Sequence, residues 1–314
     1  MNWDIVIIIA VFGLACRFIN IILLYSLKSL LLLRKAKKIP KDNDRIVITG
    51  STDGIGLAFA KYFAKAKENI QLILISRNET KLSNTKTEII KLNNNIKVDT
   101  IVCDFSAGTL TPEIQKLPPI DLYIHCSGLS YPSALYLHEI SDELINDMIN
   151  VNFLMPLLLT NQQLNNVTNK ESTVLYCGSA AATICEPLLA VYVATKASLA
   201  TFTELLSASY FQKNFVFQCH TPFIVTTKMS KIKKPSLLVP STEKYVKSAI
   251  SCIRYASNKH FYNFFRPIIT PYWSHKLIEL FALYLIPPDL FNYFRLTSQK
   301  KIRSRYLKKQ NVIN

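Results

Sequence analysis

The chain is predicted to fold as a single doubly wound parallel α/β unit, set between an apolar N-terminal segment and a hydrophobic, basic C-terminal extension. Three observations support this. From Asp44 onward, short apolar runs alternate with longer amphipathic segments, which is how a parallel sheet with helices on both faces is written in sequence. Three of only seven glycines, Gly50, Gly54 and Gly56, follow the first of those runs directly. Tyr192 and Lys196 stand four residues apart, so a helix presents them on one face.

In chain order, Ile5 to Leu33 is almost continuously apolar, interrupted by Arg17, Asn20, Ser26, Lys28 and Ser29. As a helix it would be about 43 Å long, enough to cross a bilayer with tilt. Arg34, Lys35, Lys37, Lys38, Lys41 and Arg45 come next, and this cationic flank places the following unit on the cytosolic side of a membrane. Strands are then expected at Arg45–Thr49, Ile70–Ser76, Ile96–Cys103, Asp121–Ser127, Ser172–Ser179 and Phe215–His220. Helices are expected at Ile55–Lys67, Glu79–Leu92, Asp142–Gln163 and Leu188–Phe211. Leu277–Ile286 is apolar around Glu279 and too short to span, so it reads as an interfacial helix or part of an apolar tunnel. The resulting organisation is residues 1–43 as membrane anchor and basic flank, 44–264 as the sheet unit, and 265–314 as interfacial segment and basic tail.

The formal charge of +16 gathers at the N-terminal flank and in the tail, from Arg295 through Lys309. Both clusters adjoin apolar segments, and no zinc spacing, RNP-like aromatic motif or helix-turn-helix signal accompanies them. That favours an anionic membrane surface and excludes nucleic acid as the expected partner. Seven cysteines are scattered singly, so free thiols are expected rather than disulfides or a metal site.

Thr49-Gly50-Ser51-Thr52-Asp53-Gly54-Ile55-Gly56 joins the first strand to the first helix. Glycines there permit a tight turn, close approach of a pyrophosphate and close helix packing, with the helix N-terminus favouring negative charge. This predicts a Rossmann-type dinucleotide site. The second strand ends in Ile75-Ser76-Arg77; a guanidinium in place of an acid suits a 2′-phosphate, and so NADPH over NADH. Asp104, after the third strand, is positioned for an adenine edge.

Chemistry is expected around Ser179, Tyr192 and Lys196. A phenol is a weak acid–base group near neutrality, an ammonium one helical turn away favours its ionised form, and a serine hydroxyl can hold a carbonyl oxygen beside it.

Taken together, these motifs resemble the short-chain dehydrogenase/reductase family over about Asp44–Lys228. Thr49-Gly50-x-x-x-Gly54-x-Gly56 is similar to its cofactor motif, and Ser179, Tyr192 and Lys196 to its catalytic triad. Thr52–Gly56, Ile75–Arg77 and Val225–Lys231 look most like the membrane-bound very-long-chain 3-oxoacyl-CoA reductases, relatives of the 17-beta-hydroxysteroid dehydrogenase type 12 and type 3 enzymes. The resemblance implies that Tyr192 protonates a substrate carbonyl, Lys196 supports it and holds the nicotinamide ribose, and Ser179 orients the carbonyl. It implies that Asn152 supports a proton relay, and that Pro222 with Thr226 or Thr227 closes over the nicotinamide. His125-Cys126 stands where the family usually has two asparagines, and a packed, hydrogen-bonded histidine is expected there. A long-chain 3-oxoacyl-CoA is the implied substrate, with Lys228, Lys231, Lys233 and Lys234 as candidate partners for its phosphates; a steroid 17-ketone and a non-catalytic NADPH-binding scaffold are the alternatives. The endoplasmic reticulum membrane, fatty-acid elongation enzymes and a homodimeric copy are the partners that follow from the resemblance.

Overall fold

Alternate side chains along each strand decide which layer of the molecule they enter. In the computed structural model the strands are β1 (Arg45–Thr49), β2 (Gln71–Ser76), β3 (Lys97–Val102), β4 (Leu122–His125), β5 (Ser172–Cys177), β6 (Phe215–His220) and β7 (Ile268–Ile269). Ile46 and Ile48 of β1 and Leu72 and Leu74 of β2 enter one core, while Val47, Ile73 and Ile75 enter the other, as a period of two requires. The structure describes residues 38–66, 68–166, 171–184, 186–210, 213–256 and 267–313, with isolated positions between 12 and 23.

The helices are α1 (Gly54–Ala64), α2 (Glu79–Leu92), α3 (Pro112–Gln115), α4 (Asp142–Ile149), α5 (Met155–Asn165), α6 (Ala190–Ser209), α7 (Thr242–Ala256), α8 (Trp273–Tyr284) and α9 (Pro288–Ile313). Phe59 and Phe63 of α1 and Tyr245 and Ile250 of α7 fill the first core; Met155 and Leu159 of α5 and Leu199 of α6 fill the second. Each such side chain, fully buried, stabilises the fold by about 1.5–3 kcal/mol. Side-chain caps start the helices where the sequence changes character: Asn78 Oδ1 accepts from Lys81 N at the head of α2 and Ser141 Oγ from Leu144 N at the head of α4.

All strands are parallel, in the order β3-β2-β1-β4-β5-β6-β7. The order reverses between β1 and β4, so the crevice beyond their carboxyl ends is where such a sheet takes a ligand.

Three features differ from the sequence expectation. The helix expected over Asp142–Gln163 is interrupted by a π-turn at Asn150–Leu154; Pro156 lacks the N–H that an unbroken α-helix would give to the Asn152 carbonyl. The seventh strand lies beyond residue 264 and pairs Cys219 with Ile268 and His220 with Ile269, so the sheet draws on the segment expected to be an appendage. The basic tail forms the 26-residue helix α9. Among the described residues no helix is long and apolar enough to cross a membrane; the stretch Ile5–Leu33 lies mostly outside them.

Candidate active site

A cleft of about 1000 Å³ opens at the point where strand order reverses, and Gly50, Gly54, Gly56, Ser179, Tyr192 and Lys196 all line it. The β1–α1 turn is built backbone against backbone. Gly50 has φ of +63°, and a Cβ there would lie 2.9 Å from Ser127 N and 3.0 Å from the Cys126 carbonyl. At Gly56 a Cβ would run into the Gly50 carbonyl oxygen.

Two of the expected cofactor residues, Thr49 and Ser51, are buried beneath the cleft rather than facing it. Thr49 Oγ1 accepts from Cys126 N and Ser127 N, each at 3.1 Å, tying the turn to the end of β4. Ser51 donates from Oγ to the Ile75 carbonyl at 3.3 Å. Ile55 borders the cleft and packs on the first core. Asp53 caps α1 by accepting from Gly54 N at 2.7 Å, and its other oxygen pairs with Lys228 Nζ at 2.7 Å. Lys228 thus offsets the carboxylate, so that the positive end of α1 stays available to phosphates.

Arg77 is exposed, lines the cleft and has no ion-pair partner among the described residues; Lys81, one turn into α2, lines it too. The sequence does not single out this second cation, because Arg77 precedes the cap Asn78 and helical spacing does not relate the two. Asp104 borders the cleft while one of its oxygens accepts from Ser106 N and Oγ, both at 3.0 Å.

Lys196 is buried on α6. Its Nζ donates to the Cys177 carbonyl at 2.8 Å and stands 6.0 Å from the Tyr192 ring centroid. A Cβ at Gly128 would lie 3.7 Å from both Lys196 Nζ and Asn152 Oδ1, so these groups converge on that glycine. Ser179 heads the turn Ala180–Ala182, and its Oγ accepts from Ala181 N at 3.2 Å; the hydroxyl proton is left for a second acceptor. The Pro222 carbonyl accepts from Ala180 N at 2.9 Å and holds Pro222 at the cleft edge.

Asn152 is fully buried, and its amide is committed to structure. Oδ1 accepts from Leu129 N at 2.8 Å, and Nδ2 donates to the Leu129 carbonyl at 2.8 Å and to Thr195 Oγ1 at 3.1 Å. Thr195 in turn donates to the Tyr192 carbonyl at 2.8 Å. Asn152 therefore positions the helix that carries Tyr192 and Lys196. Of the two threonines after Pro222, Thr227 lines the cleft, whereas Thr226 lies outside it with its hydroxyl directed to the Pro240 carbonyl at 3.4 Å.

His125 corrects the sequence reading in one respect. Its ring stacks between Tyr123, at 4.4 Å, and Tyr176, at 5.1 Å, but neither ring nitrogen has a hydrogen-bond partner among the described residues. Burial pushes its pKa down to about 3, which keeps it neutral. Beside it, the Cys126 and Cys177 sulfurs meet at 2.9 Å as free thiols.

The remaining wall comes from α9. Arg295 and Gln299 hydrogen-bond Glu186, and Arg303 pairs with Glu139. The spacing 295, 299, 303 is a helical stripe, legible in the sequence once α9 is recognised as a helix. Apolar side chains of Leu189, Phe223, Leu238, Ile278 and Phe291 complete the lining. A phenol beside an ammonium, a hydroxyl donor and an apolar approach together suit protonation of a carbonyl oxygen.

Residues 44–237 match the short chain dehydrogenase family. The chain is 32% identical over 270 residues to the very-long-chain 3-oxoacyl-CoA reductase-B of Danio rerio, covering 84% of this chain and 83% of the relative. It is 33% identical over 279 residues to the very-long-chain 3-oxoacyl-CoA reductase of Mus musculus, covering 86% and 84%. A short-chain dehydrogenase from Sphingobium yanoikuyae, solved in complex with NADPH, shares the fold with a TM-score of 0.59 at 17% identity, over 73% of this chain and 87% of that one. With the glycine turn, the cleft at the strand reversal and the Ser179, Tyr192 and Lys196 wall in place, the chain belongs to the short-chain dehydrogenase family.

Proposed function

We propose that this protein is an NADPH-dependent reductase that converts a long-chain 3-oxoacyl-CoA to the 3-hydroxyacyl-CoA. The observation that carries the reading is the shared cleft: a phosphate-accepting glycine turn and two cations, Arg77 and Lys81, line the same cavity as Ser179, Tyr192 and Lys196. The names of the relatives, very-long-chain 3-oxoacyl-CoA reductases, support the substrate class.

The residues fit the cofactor. The turn excludes any side chain at Gly50 and Gly56, leaving backbone for a pyrophosphate, and Arg77 with Lys81 matches a 2′-phosphate in charge. When bound, NADPH supplies the hydride. Ser179 directs a hydrogen bond from its free hydroxyl to the substrate carbonyl oxygen and keeps its proton, and Tyr192 transfers the single proton to that oxygen as the alcohol forms. Lys196, held by the Cys177 carbonyl, keeps positive charge beside the phenol. Asn152 and Thr195 fix the helix on which both stand.

A second hollow of about 620 Å³ beside α1 is lined by Lys61, Lys228, Lys231 and Lys233, and supports a role in holding the phosphates of coenzyme A. In this reading residues 1–43 anchor the enzyme in the endoplasmic reticulum membrane with the catalytic unit in the cytosol, a placement supported by the apolar run followed by cations.

Tyr192→Phe tests the mechanism. Loss of the proton donor should lower kcat on a long-chain 3-oxoacyl-CoA by about 10²–10⁴-fold, while NADPH binding, followed by nucleotide fluorescence, is retained. Turnover confined to 17-ketosteroids, or full turnover by the variant, would overturn the proposal.

A further inference from the structure

Helix α8 buries Leu280 and Ala282 but also three polar side chains, and it exposes a row of apolar ones. Its buried side holds Ser274, His275 and Glu279, each given a partner: Ser274 Oγ donates to the Leu237 carbonyl at 2.8 Å, His275 reaches the Leu238 carbonyl at 3.1 Å, and Glu279 accepts from Thr270 Oγ1 at 2.7 Å. Its outer side holds Trp273, Leu277, Phe281 and Tyr284, spaced by one helical turn and exposed by 53%, 46%, 54% and 47%. A surface helix in water carries its polar residues outward. Here the exposed stripe is apolar and aromatic, and Leu237 and Leu238, which the buried side of α8 holds in place, are exposed beside it.

Helix α9 continues the same design along its length. The positions it turns away from Glu186 and Glu139 are exposed Leu290, Tyr293 and Phe294 in its first turns, then Lys300, Lys301, Arg305 and Lys308. Leu290, Phe294, Lys301, Arg305 and Lys308 share one helical stripe. An apolar half grading into a cationic half matches the boundary between acyl chains and anionic headgroups. No helix among the described residues can span a bilayer, so such a surface would lie in the interface. A second copy of this chain, itself strongly cationic at +16, is a poorer electrostatic match for the basic half.

We infer that the outer faces of α8 and α9, with Leu237 and Leu238, form a docking surface for an anionic lipid bilayer, additional to any anchoring by the N-terminal segment. Ile278 of α8, Phe291 of α9 and Leu238 also line the active-site cleft. The elements that meet the lipid thus form one wall of the substrate's approach, and a long acyl chain can pass between bilayer and cleft along them. This last step rests on the acyl-CoA reading; the docking surface does not.

The chain has two tryptophans, Trp3 and Trp273, which makes the surface directly observable. The full-length Trp3→Phe protein, reconstituted in vesicles of phosphatidylcholine and phosphatidylserine, has Trp273 as its sole indole. Its emission should shift to the blue, be quenched by lipids brominated on their acyl chains, and resist aqueous iodide. Reversing Lys300, Lys301, Arg305 and Lys308 to Glu should reduce the bromolipid quenching, and so should replacing phosphatidylserine by phosphatidylcholine. Free access of iodide without bromolipid quenching overturns the inference. Protection from both quenchers also overturns it, in favour of protein covering the face, either a second copy or another segment of this chain. NADPH binding measured on the same samples confirms that each variant is folded. Because the readout needs no turnover, failure of the acyl-CoA reading leaves it intact and is distinguished by the substrate assay above.

Discussion

Replacing Gly50 with alanine puts the packing of the cofactor turn to a quantitative test. Two costs add. The backbone at +63° is a conformation that costs an L-residue about 1–2 kcal/mol. The new Cβ would also sit 2.9 Å from Ser127 N and 3.0 Å from the Cys126 carbonyl carbon and oxygen, backbone atoms that cannot rotate away, and overpacking of this kind costs about 1–3 kcal/mol. The total is about 2–5 kcal/mol, or a fall in Tm of about 4–20 °C at roughly 2–4 °C per kcal/mol. Gly108→Ala is the control: φ is +68°, but the nearest atoms belong to the Asn150 side chain, at 3.2–3.3 Å. It shares the backbone strain and lacks the rigid clash. Thermal unfolding and NADPH titration of both variants check the argument. Gly50→Ala should be the less stable of the two and should bind NADPH at least tenfold more weakly, a loss of about 1.4 kcal/mol. If the two variants unfold together and bind alike, the turn is not held by the β4 backbone as described.

Thr49→Val should cost about 1–3 kcal/mol for each of the two N–H groups it orphans, at Cys126 and Ser127, in urea unfolding, with Thr49→Ser restoring most of the loss. His125→Phe should change stability by less than about 1.5 kcal/mol at neutral pH because the ring works by stacking, whereas His125→Ala should lose about 3–5 kcal/mol. The histidine titrates near 6.5 when unfolded and near 3 when folded, so protons favour the unfolded chain, and His125→Phe should gain on wild type as pH falls from 6.5 toward 3. Arg303→Met should expose α9 to hydrogen exchange. Arg303 holds Glu139 down to about 2 from an ordinary 4.5, so the stability difference between wild type and variant should be complete above pH 4.5 and close as pH falls toward 2.

Much of the sheet was legible because burial on both faces leaves β-strands as short apolar runs. Phe215–His220 and Glu79–Leu92 have the boundaries that their composition predicts. The π-turn at Asn150–Leu154 was not legible, since it arises where Pro156 meets a side chain clamped to Leu129, a contact between positions distant in sequence. The resemblance implies a proton-relay role for Asn152, whereas its partners Leu129 and Thr195 appear only when the segment after β4 and helix α6 are brought together. For His125 the sequence predicts a packed, hydrogen-bonded ring; the packing is there, between two tyrosines, but their apolar ring faces offer its nitrogens no hydrogen-bond partner among the described residues.

By itself the sequence determined the doubly wound sheet, the glycine turn and the shared helical face of Tyr192 and Lys196, because periodicity and local spacing encode them. Tertiary structure alone decided that Thr49 and Ser51 support the cleft from below, that Thr227 rather than Thr226 faces it, and that α9 folds back to wall it off. It also decided which side of α8 is buried. Ser274, His275 and Glu279 find their partners in Leu237, Leu238 and Thr270, so hydrogen bonds that do not exist in the isolated helix overrule its hydropathy and turn the aromatic side outward.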